Sequence, residues 1–155
     1  MEINIINFKT KYEKVFYNLN IEWLRKFFIV EQYDDQILSN SKKYIIDEGG
    51  EIFFAKIKNV VVGTVALMPT TKKNIFELTK MAVKPDYQNN GIGKKLLHKC
   101  VEFSKENNCN SLILYSNRKL KNAIHLYSYF GFKEISLEKN APYVRANIKM
   151  ELKLA

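Results

Sequence analysis

The sequence contains few of the residues that cross-link or interrupt a chain: two cysteines, three prolines and six glycines among 155 residues. Cys100 and Cys109 are too few for a disulfide framework, and without a CxxC motif or another metal-ligand cluster we expect no metal site. No apolar run approaches the roughly 18 residues of a transmembrane helix. Residues 1–6 alternate polar and apolar side chains without a basic flank, so they do not resemble a signal peptide. We expect a cytoplasmic protein with no membrane partner.

Apolar residues are plentiful enough for one complete core. Hydrophobic residues make up 46% of the chain and aromatic residues 13%. A chain of this length buries roughly 70% of the surface that it exposes when unfolded. We therefore expect a single folded domain over residues 1–155, and we exclude a disordered or low-complexity chain.

The charge is strongly positive, with 25 Lys and Arg against 16 Asp and Glu and a net charge of +9. Such an excess favours an anionic partner, which can be nucleic acid, an acidic surface or a phosphorylated cofactor. A nucleic-acid-binding protein would gather its basic residues on one element, whereas here they occur as singles and pairs along the whole chain. We therefore expect no nucleic-acid partner. Nucleic-acid binding stays a competing hypothesis, in which affinity would fall steeply with salt.

Hydrophobic periodicity predicts the element order β-α-α-β-β-β-α-β-α-β-β. The sheet should be mixed, because one strand–helix–strand crossover joins an antiparallel meander. A capping box at Thr10–Glu13 predicts the start of the first helix, with a break near Asn18–Asn20. The predicted strands are 3–8, 52–57, 60–67, 75–83, 111–116, 132–137 and 143–154, and the later helices are 33–40, 91–106 and 120–130.

A glycine-containing turn, Gln88–Lys94, joins a predicted strand to a predicted helix. The first amides of a helix lack intrahelical acceptors and carry partial positive charge, which makes a helix N-terminus an anion site. Gly91 and Gly93 remove side chains where a phosphate would approach, and Lys94 and Lys95 oppose the helix dipole unless an anion binds. The segment lacks the P-loop and dinucleotide-binding patterns. An ordinary strand–helix turn is the alternative interpretation.

Three segments resemble the GNAT superfamily of acetyltransferases. Residues 88–93, QNNGIG, fit the family's Q/R-x-x-G-x-G/A motif for the pyrophosphate of acyl-CoA. Residues 77–85, ELTKMAVKP, look like its fourth strand, and residues 123–132, AIHLYSYFGF, resemble its A-x-x-L-Y-x-x-x-G-F segment. The resemblance covers residues 50–152 and, by element order, the whole chain. It implies the α/β GNAT fold, in which a mixed central sheet of about seven strands is flanked by about four helices.

The resemblance implies acetyl-CoA as cosubstrate, with its pantetheine arm paired to Met81–Val83 like an added strand. The backbone N–H of Ala82 would donate to the thioester oxygen. Leu120 stands where the family frequently has asparagine, so Asn117 and Asn122 are alternative contacts. The implied cosubstrate-binding residues are Met81, Ala82, Val83, Gln88, Asn89, Asn90, Gly91, Ile92, Gly93, Lys94, Asn117, Asn122 and Tyr127, of which Asn89 and Asn90 stand where glycine or a basic residue is common.

Tyr127 and Glu77 are the candidate catalytic residues. By resemblance, the Tyr127 hydroxyl would protonate the leaving thiolate. Glu77 lies 14 residues before Gly91, the offset of the catalytic glutamate in the histone-acetylating branch of the family, and it would deprotonate the amine. The structural alternatives are a core tyrosine and a solvent-facing glutamate paired with lysine. A water relay is the alternative to a side-chain base.

The resemblance places the acceptor site beside the first helices and the last strand. Alternation along that strand puts Tyr143, Arg145 and Asn147 on one face, where Arg145 would bind a substrate carboxylate. Glu31, Asp34 and Asp35, which follow the first helices, would attract an amine. The alternatives are a surface ion pair for Arg145 and solvated carboxylates for the acidic residues.

The predicted function is an acetyl-CoA-dependent N-acetyltransferase, in which the acceptor amine attacks the thioester directly within a ternary complex. A catalytically silent CoA-binding or regulatory module of the same fold is the main alternative. The acceptor stays open among small amines, amino acids, peptide termini, lysine side chains and aminoglycosides. Homodimerisation, which is common in the family, also stays open.

Overall fold

A seven-stranded mixed sheet runs through the structure, a computed structural model that describes residues 2–154. The strands lie in the order β1-β2-β3-β4-β5-β7-β6; β4 and β5 pair in parallel, and the other neighbours pair antiparallel. The strands are β1 (Asn4–Asn7), β2 (Glu51–Ile57), β3 (Val60–Pro69), β4 (Ile75–Val83), β5 (Ser111–Ser116), β6 (Lys133–Ile135) and β7 (Ile148–Lys153).

Four α-helices cover the two faces of the sheet. They are α1 (Glu13–Phe27), α2 (Gln32–Ser39), α3 (Ile92–Glu106) and α4 (Lys121–Tyr129), with 3₁₀ turns at Thr10–Tyr12 and Pro85–Tyr87 and a π-helical turn at Lys42–Ile46. Helices α1 and α2 pack on one face, and α3 and α4 on the other. Within residues 2–154, none of the helices has the length and apolar character that crossing a membrane requires.

The core has two layers because successive residues of a strand point to opposite faces. Phe53 and Phe54, adjacent in β2, show the division. The Phe53 ring packs against Phe103 of α3 at a centroid distance of 5.5 Å, whereas Phe54 lies 6.4 Å from Phe16 of α1. Both phenylalanines of β2 are fully buried. The sheet is therefore held from both sides, and its central strands are fixed in position.

Strands β4 and β5 share only a short stretch of pairing. Ile75–Glu77 pairs with Ser111–Ile113. Beyond these residues, β4 stays with β3 and β5 stays with β7. The two strands therefore separate towards their carboxyl ends and leave a gap in the middle of the sheet.

A β-bulge lies in β4 beside this gap. Lys80 and Met81 together lie opposite Val65 of β3, and Lys80 adopts a positive φ of 57°. A bulge bends its strand and changes where a side chain points. In β4 the bulge includes Lys80, whose side chain is only 3% exposed.

The predicted element order is confirmed, and the bounds predicted for two of the strands, 75–83 and 111–116, match β4 and β5. The predicted capping box is wrong, because Thr10 lies in a 3₁₀ turn and α1 begins at Glu13 without a side-chain cap. The predicted break in the first helix is also wrong. Buried Asn20 continues α1, and its side-chain amide donates within the helix to the carbonyl one turn earlier, Phe16 O, at 3.0 Å.

The last two strands are shorter than predicted. Strand β7 begins at Ile148, and residues 143–147 form a turn in which Ala146 N–H donates to Tyr143 O at 3.2 Å. The predicted alternation of residues 143, 145 and 147 on one strand face is therefore wrong. The turn instead brings its side chains back over the sheet, where they meet α2.

Candidate active site

A cleft of about 810 Å³ lies at the gap between β4 and β5. Its walls are the second half of β4, the N-terminus of α3, helix α4 and the C-terminal half of α1. Because the gap passes between two strands, the cleft is reached from both faces of the sheet. One end adjoins the turn before α3, and the other adjoins the end of α1.

The turn before α3 presents backbone amides to the cleft. Gly91 has a left-handed φ of 77° and immediately precedes α3. The first helical hydrogen bond runs from Lys95 N–H to Gly91 O at 3.1 Å, so the amides of residues 92–94 precede any intrahelical acceptor. A Cβ added at Gly91 would meet no atom within 4 Å. The geometry leaves room for an anion at these amides.

Side chains hold the turn and add positive charge beside it. The Asn90 side-chain amide donates to Tyr87 O at 3.0 Å and to Gln88 O at 3.1 Å, which closes the loop on itself. The Lys94 ammonium lies 4.6 Å from the centroid of the Tyr129 ring of α4. The positive end of α3 and this ammonium therefore lie at the same end of the cleft.

Tyr127 lies in the wall that α4 contributes to the cleft. Its ring packs against Phe132 at 5.9 Å and joins the core beneath α4. Burial raises the pKa of Tyr127 to about 12, so the hydroxyl is protonated at neutral pH. Among the described residues, that hydroxyl has no hydrogen-bond partner.

A buried polar network lies under the other end of the cleft. Tyr143 donates its hydroxyl hydrogen to Glu77 Oε2 at 2.7 Å. The Lys80 ammonium donates to the Tyr143 hydroxyl at 3.3 Å and lies 3.5 Å from Asp34 Oδ1. Thr79 completes the group with a 3.2 Å contact between its hydroxyl and that of Tyr143. Residues of β4, α2 and the turn before β7 thus share one set of hydrogen bonds.

Arg145 closes this network from the turn before β7. Its guanidinium binds Asp34 with two hydrogen bonds of 2.6 and 2.8 Å and Glu31 with one of 3.2 Å. Glu31 also accepts the backbone N–H groups of Val144 and Arg145. A bidentate arginine–carboxylate pair is both strong and directional. It fixes the turn before β7 against the start of α2.

The network shifts the pKa values of its two buried carboxyls in opposite directions. Burial raises the pKa of Asp34, but the hydrogen bond from Arg145 and the charge of Lys80 outweigh it and hold the pKa below the usual 3.8. Burial also raises the pKa of Glu77, and it keeps that pKa above 4.5 although Tyr143 and Lys80 oppose it. Asp34 is therefore a fixed anion, and Glu77 is the more basic carboxyl.

A family model described as "Acetyltransferase (GNAT) family" matches residues 15–132, more than three quarters of the chain. The chain belongs to the GNAT family of acetyltransferases. A solved GNAT acetyltransferase from Staphylococcus aureus Mu50 superposes with a TM-score of 0.88 at 28% identity, covering 99% of this chain and 100% of that one. The α/β GNAT fold predicted from the sequence is confirmed.

Two further proteins resemble this GNAT domain. Streptothricin acetyltransferase A of Bacillus subtilis (strain 168) is 31% identical over 103 residues, which are 66% of this chain and 57% of that protein. The PaiA N-acetyltransferase of Thermoplasma acidophilum, solved in complex with coenzyme A, shares the fold with a TM-score of 0.79 at 20% identity, covering 99% of each chain. The chain spans between 37% and 57% of the length of the first three curated relatives that it matches.

Most of the residues predicted to bind the cosubstrate line the cleft of this GNAT domain. The cleft-lining ones are Met81, Ala82, Val83, Gln88, Asn89, Gly91, Ile92, Gly93, Lys94, Asn117, Asn122 and Tyr127. Asn90 braces the turn instead. The Asn117 side chain is occupied, since it donates to Arg145 O at 2.8 Å and accepts Lys119 N–H at 2.9 Å. Exposed Asn122 is therefore the better candidate for a cosubstrate contact.

The predicted acceptor-site residues are placed differently from the expectation. The Arg145 guanidinium is already bound to two carboxylates, which favours the ion-pair alternative over a grip on substrate, and the pair is half-buried. Glu31 is a partner in that pair. Glu77 is only 7% exposed and does not line the cleft, whereas Tyr143, its hydrogen-bond partner, does. Glu77 therefore reaches the cleft through the Tyr143 hydroxyl.

Sequence reasoning overlooked Lys80 and the aromatic end of α1. Lys80 is a lone cation inside an apolar strand, and that contrast is the signal that could have marked it as a member of a buried network. The spacing of the aromatic residues at the end of α1 predicts the apolar face of an amphipathic helix. In the structure these residues, Trp23, Phe27 and Phe28, line the cleft.

We expect Asp34→Asn to lower the free energy of unfolding by about 3–5 kcal/mol, because it leaves the Arg145 and Lys80 charges without their shared buried partner. The measurement is urea unfolding of both proteins. The pKa of Asp34 in the folded protein lies below the usual 3.8. The stabilisation that ionised Asp34 provides is therefore complete above pH 3.8, and it is lost as the pH falls through the lowered pKa of the folded protein. The difference between the two proteins should therefore shrink in acid.

Asp35→Asn is the matched control, since Asp35 follows Asp34 on α2 but is exposed. Its effect should stay within about 0.5 kcal/mol, as for most surface substitutions. Equal losses for the two variants would show that the network contributes nothing specific to stability.

Proposed function

We propose that residues 1–155 form one N-acyltransferase domain that moves an acetyl group from acetyl-CoA to an amine by direct attack within a ternary complex. One observation carries the proposal: the residues that open α3, the part of β4 without a β5 partner and Tyr127 all line one cleft. The family of the chain and the CoA complex of the PaiA neighbour support coenzyme A as the bound group.

The CoA moiety would lie along β4 with its pyrophosphate at the start of α3. The amides of residues 92–94 and the Lys94 ammonium supply donors and positive charge for that diphosphate. The pantetheine arm would take the place of the missing β5 pairing along Met81–Val83 and satisfy backbone groups that the strand separation leaves unpaired. Ala82 N–H is the candidate donor to the thioester oxygen, where negative charge develops as the amine attacks.

Tyr127 would act as the general acid. In the transfer, a bond forms between the amine nitrogen and the acetyl carbon, and the carbon–sulfur bond breaks. The thiolate then takes the hydroxyl proton of Tyr127. A phenol with a pKa of about 12 is a weaker acid than a thiol in water, but the apolar surroundings that raise the pKa of Tyr127 would also raise that of a thiolate beside it.

Glu77 would act as the base for the acceptor amine, with Tyr143 between them. The amine proton would pass to the Tyr143 oxygen while the Tyr143 proton moves to Glu77 Oε2, 2.7 Å away. The raised pKa of Glu77 makes it a better proton acceptor than an ordinary surface carboxylate. Glu77 lies on β4 beneath Tyr143 and Tyr127 lies on α4, so different elements would supply the base and the acid.

We expect Gly91→Val to abolish CoA binding in isothermal titration calorimetry. A β-branched residue is strained at a φ of 77°, and its side chain would extend into the space that the diphosphate requires. Gly49→Val is the matched control, because Gly49 also has a positive φ of 98° and open space around it but lies outside the cleft. Normal CoA affinity for Gly91→Val would show that the diphosphate binds elsewhere.

We expect Tyr127→Phe to lower kcat by about 10²-fold or more, the usual size of a general-acid contribution, with little change in the KM for acetyl-CoA. The substitution removes one hydroxyl and keeps the ring that packs on Phe132. The measurement is steady-state thiol release with a fixed amine. An unchanged kcat would remove Tyr127 from the mechanism.

A further inference from the structure

The α1 end of the cleft is built from aromatic rings. Trp23 lies 5.3 Å from Phe27 and 5.8 Å from Phe28, measured between ring centroids. All three residues are only half-buried and line the cleft. Aromatic side chains exposed in a concave surface are typical of sites that bind an apolar ligand group.

Two tyrosines continue this wall across the gap. Tyr143 lies 5.8 Å from Tyr115 of β5, and the Arg145 guanidinium connects it to Phe28, with distances of 4.8 Å to the Tyr143 ring and 5.8 Å to the Phe28 ring. We call the five rings Trp23, Phe27, Phe28, Tyr115 and Tyr143 the aromatic mouth. Tyr143 belongs both to this mouth and to the network that reaches Glu77.

The two tyrosine hydroxyls of the aromatic mouth and the guanidinium beside them are bound within the protein. The Tyr115 hydroxyl donates to Glu138 at 2.6 Å, and the Tyr143 hydroxyl donates to Glu77. Both ends of the Arg145 guanidinium bind Asp34. The mouth therefore offers ring faces to a ligand, and few hydrogen-bonding groups that could recognise a polar one.

Lys119 places a positive charge at the aromatic mouth. Its ammonium lies 4.1 Å from the Phe28 ring centroid and donates to Phe27 O, the end of α1, at 2.6 Å. Among the described residues it has no carboxylate within 4.0 Å, whereas Arg145, which lies on the same Phe28 ring, is neutralised by Asp34 and Glu31. A ligand with a second ammonium at this position would be repelled by Lys119.

We propose that the acceptor is a monoamine whose nitrogen is carried on an aromatic or large apolar group, and that polyamines are poor acceptors. The proposal rests on the acetyl transfer proposed above, because it assigns the group that occupies the second end of the same cleft. The apolar group packs against Trp23 and Phe28, and the nitrogen reaches the gap beside Tyr143. There it attacks the thioester, the C–N bond replaces the C–S bond, and the amine proton leaves towards Glu77.

The first test is thiol release from acetyl-CoA with three amines: 2-phenylethylamine, butylamine and 1,4-diaminobutane. Burial of the phenyl group predicts that kcat/KM for 2-phenylethylamine exceeds that for butylamine by about tenfold or more. Butylamine and 1,4-diaminobutane differ in one ammonium group, and we expect the diamine to have the lower kcat/KM.

A kcat/KM for the diamine that matches or exceeds that for butylamine, or a phenyl group that does not raise kcat/KM, would overturn the proposal and leave acetyl transfer intact. No transfer to any of the three amines, by a protein that still binds CoA, would overturn the acceptor proposal, and the same result with amino acids, peptides and aminoglycosides would overturn acetyl transfer as well.

The second test uses variants of the aromatic mouth. Trp23→Leu should raise the KM for 2-phenylethylamine by about fivefold or more, because the amine loses an aromatic contact, while the KM for acetyl-CoA stays unchanged. Tyr44→Leu is the control, since Tyr44 is a half-buried aromatic that packs on the α1–α2 side of the sheet outside the cleft.

Lys119→Met should raise kcat/KM for 1,4-diaminobutane relative to that for butylamine, because it removes the repelling charge. Equal KM values for Trp23→Leu and Tyr44→Leu, or an unchanged diamine ratio for Lys119→Met, would contradict the assignment.

Discussion

The separation of β4 from β5 is the constraint on which the rest of the site depends. A central strand normally pairs on both sides, and buried backbone groups that lose a partner carry a free-energy cost. In this GNAT domain, β4 loses its β5 partner after Glu77, so its edge is open to a ligand in an extended conformation. The same opening passes through the sheet, so in the proposed acetyl transfer the two substrates enter from separate faces.

The buried network keeps this opening in shape. Asp34, Lys80 and Arg145 tie α2, the bulge of β4 and the turn before β7 together with short ionic contacts. Opposite charges are paired within the network, and the members that line the cleft are Thr79, Lys80, Tyr143 and Arg145. A buried ion pair adds little net stability compared with an apolar core, but it fixes geometry, and removing one partner is costly. We infer that positioning is the main role of the network.

The sequence could predict the features that depend on local pattern. Apolar runs bounded by turn residues located β4 and β5 to the residue, and Gly91 was recognisable as a glycine at the start of a predicted helix. The network could not be predicted in the same way. Asp34 is 46 residues from Lys80 and 111 from Arg145, and its contacts depend on the bulge in β4 and on the turn that replaced a predicted strand. Trp23 and Phe28 illustrate a related limit, since periodicity identifies an apolar helix face but not whether a protein core or a substrate covers it.

The most direct test of the account is the response of backbone amides to coenzyme A in a two-dimensional NMR titration of the labelled protein. We expect the largest chemical-shift changes at residues 91–94 and at Met81–Val83, saturating together when one molecule of coenzyme A is bound. Changes confined to other elements, with these amides unaffected, would contradict the assignment of the cleft as the CoA site and with it the proposed acetyl transfer.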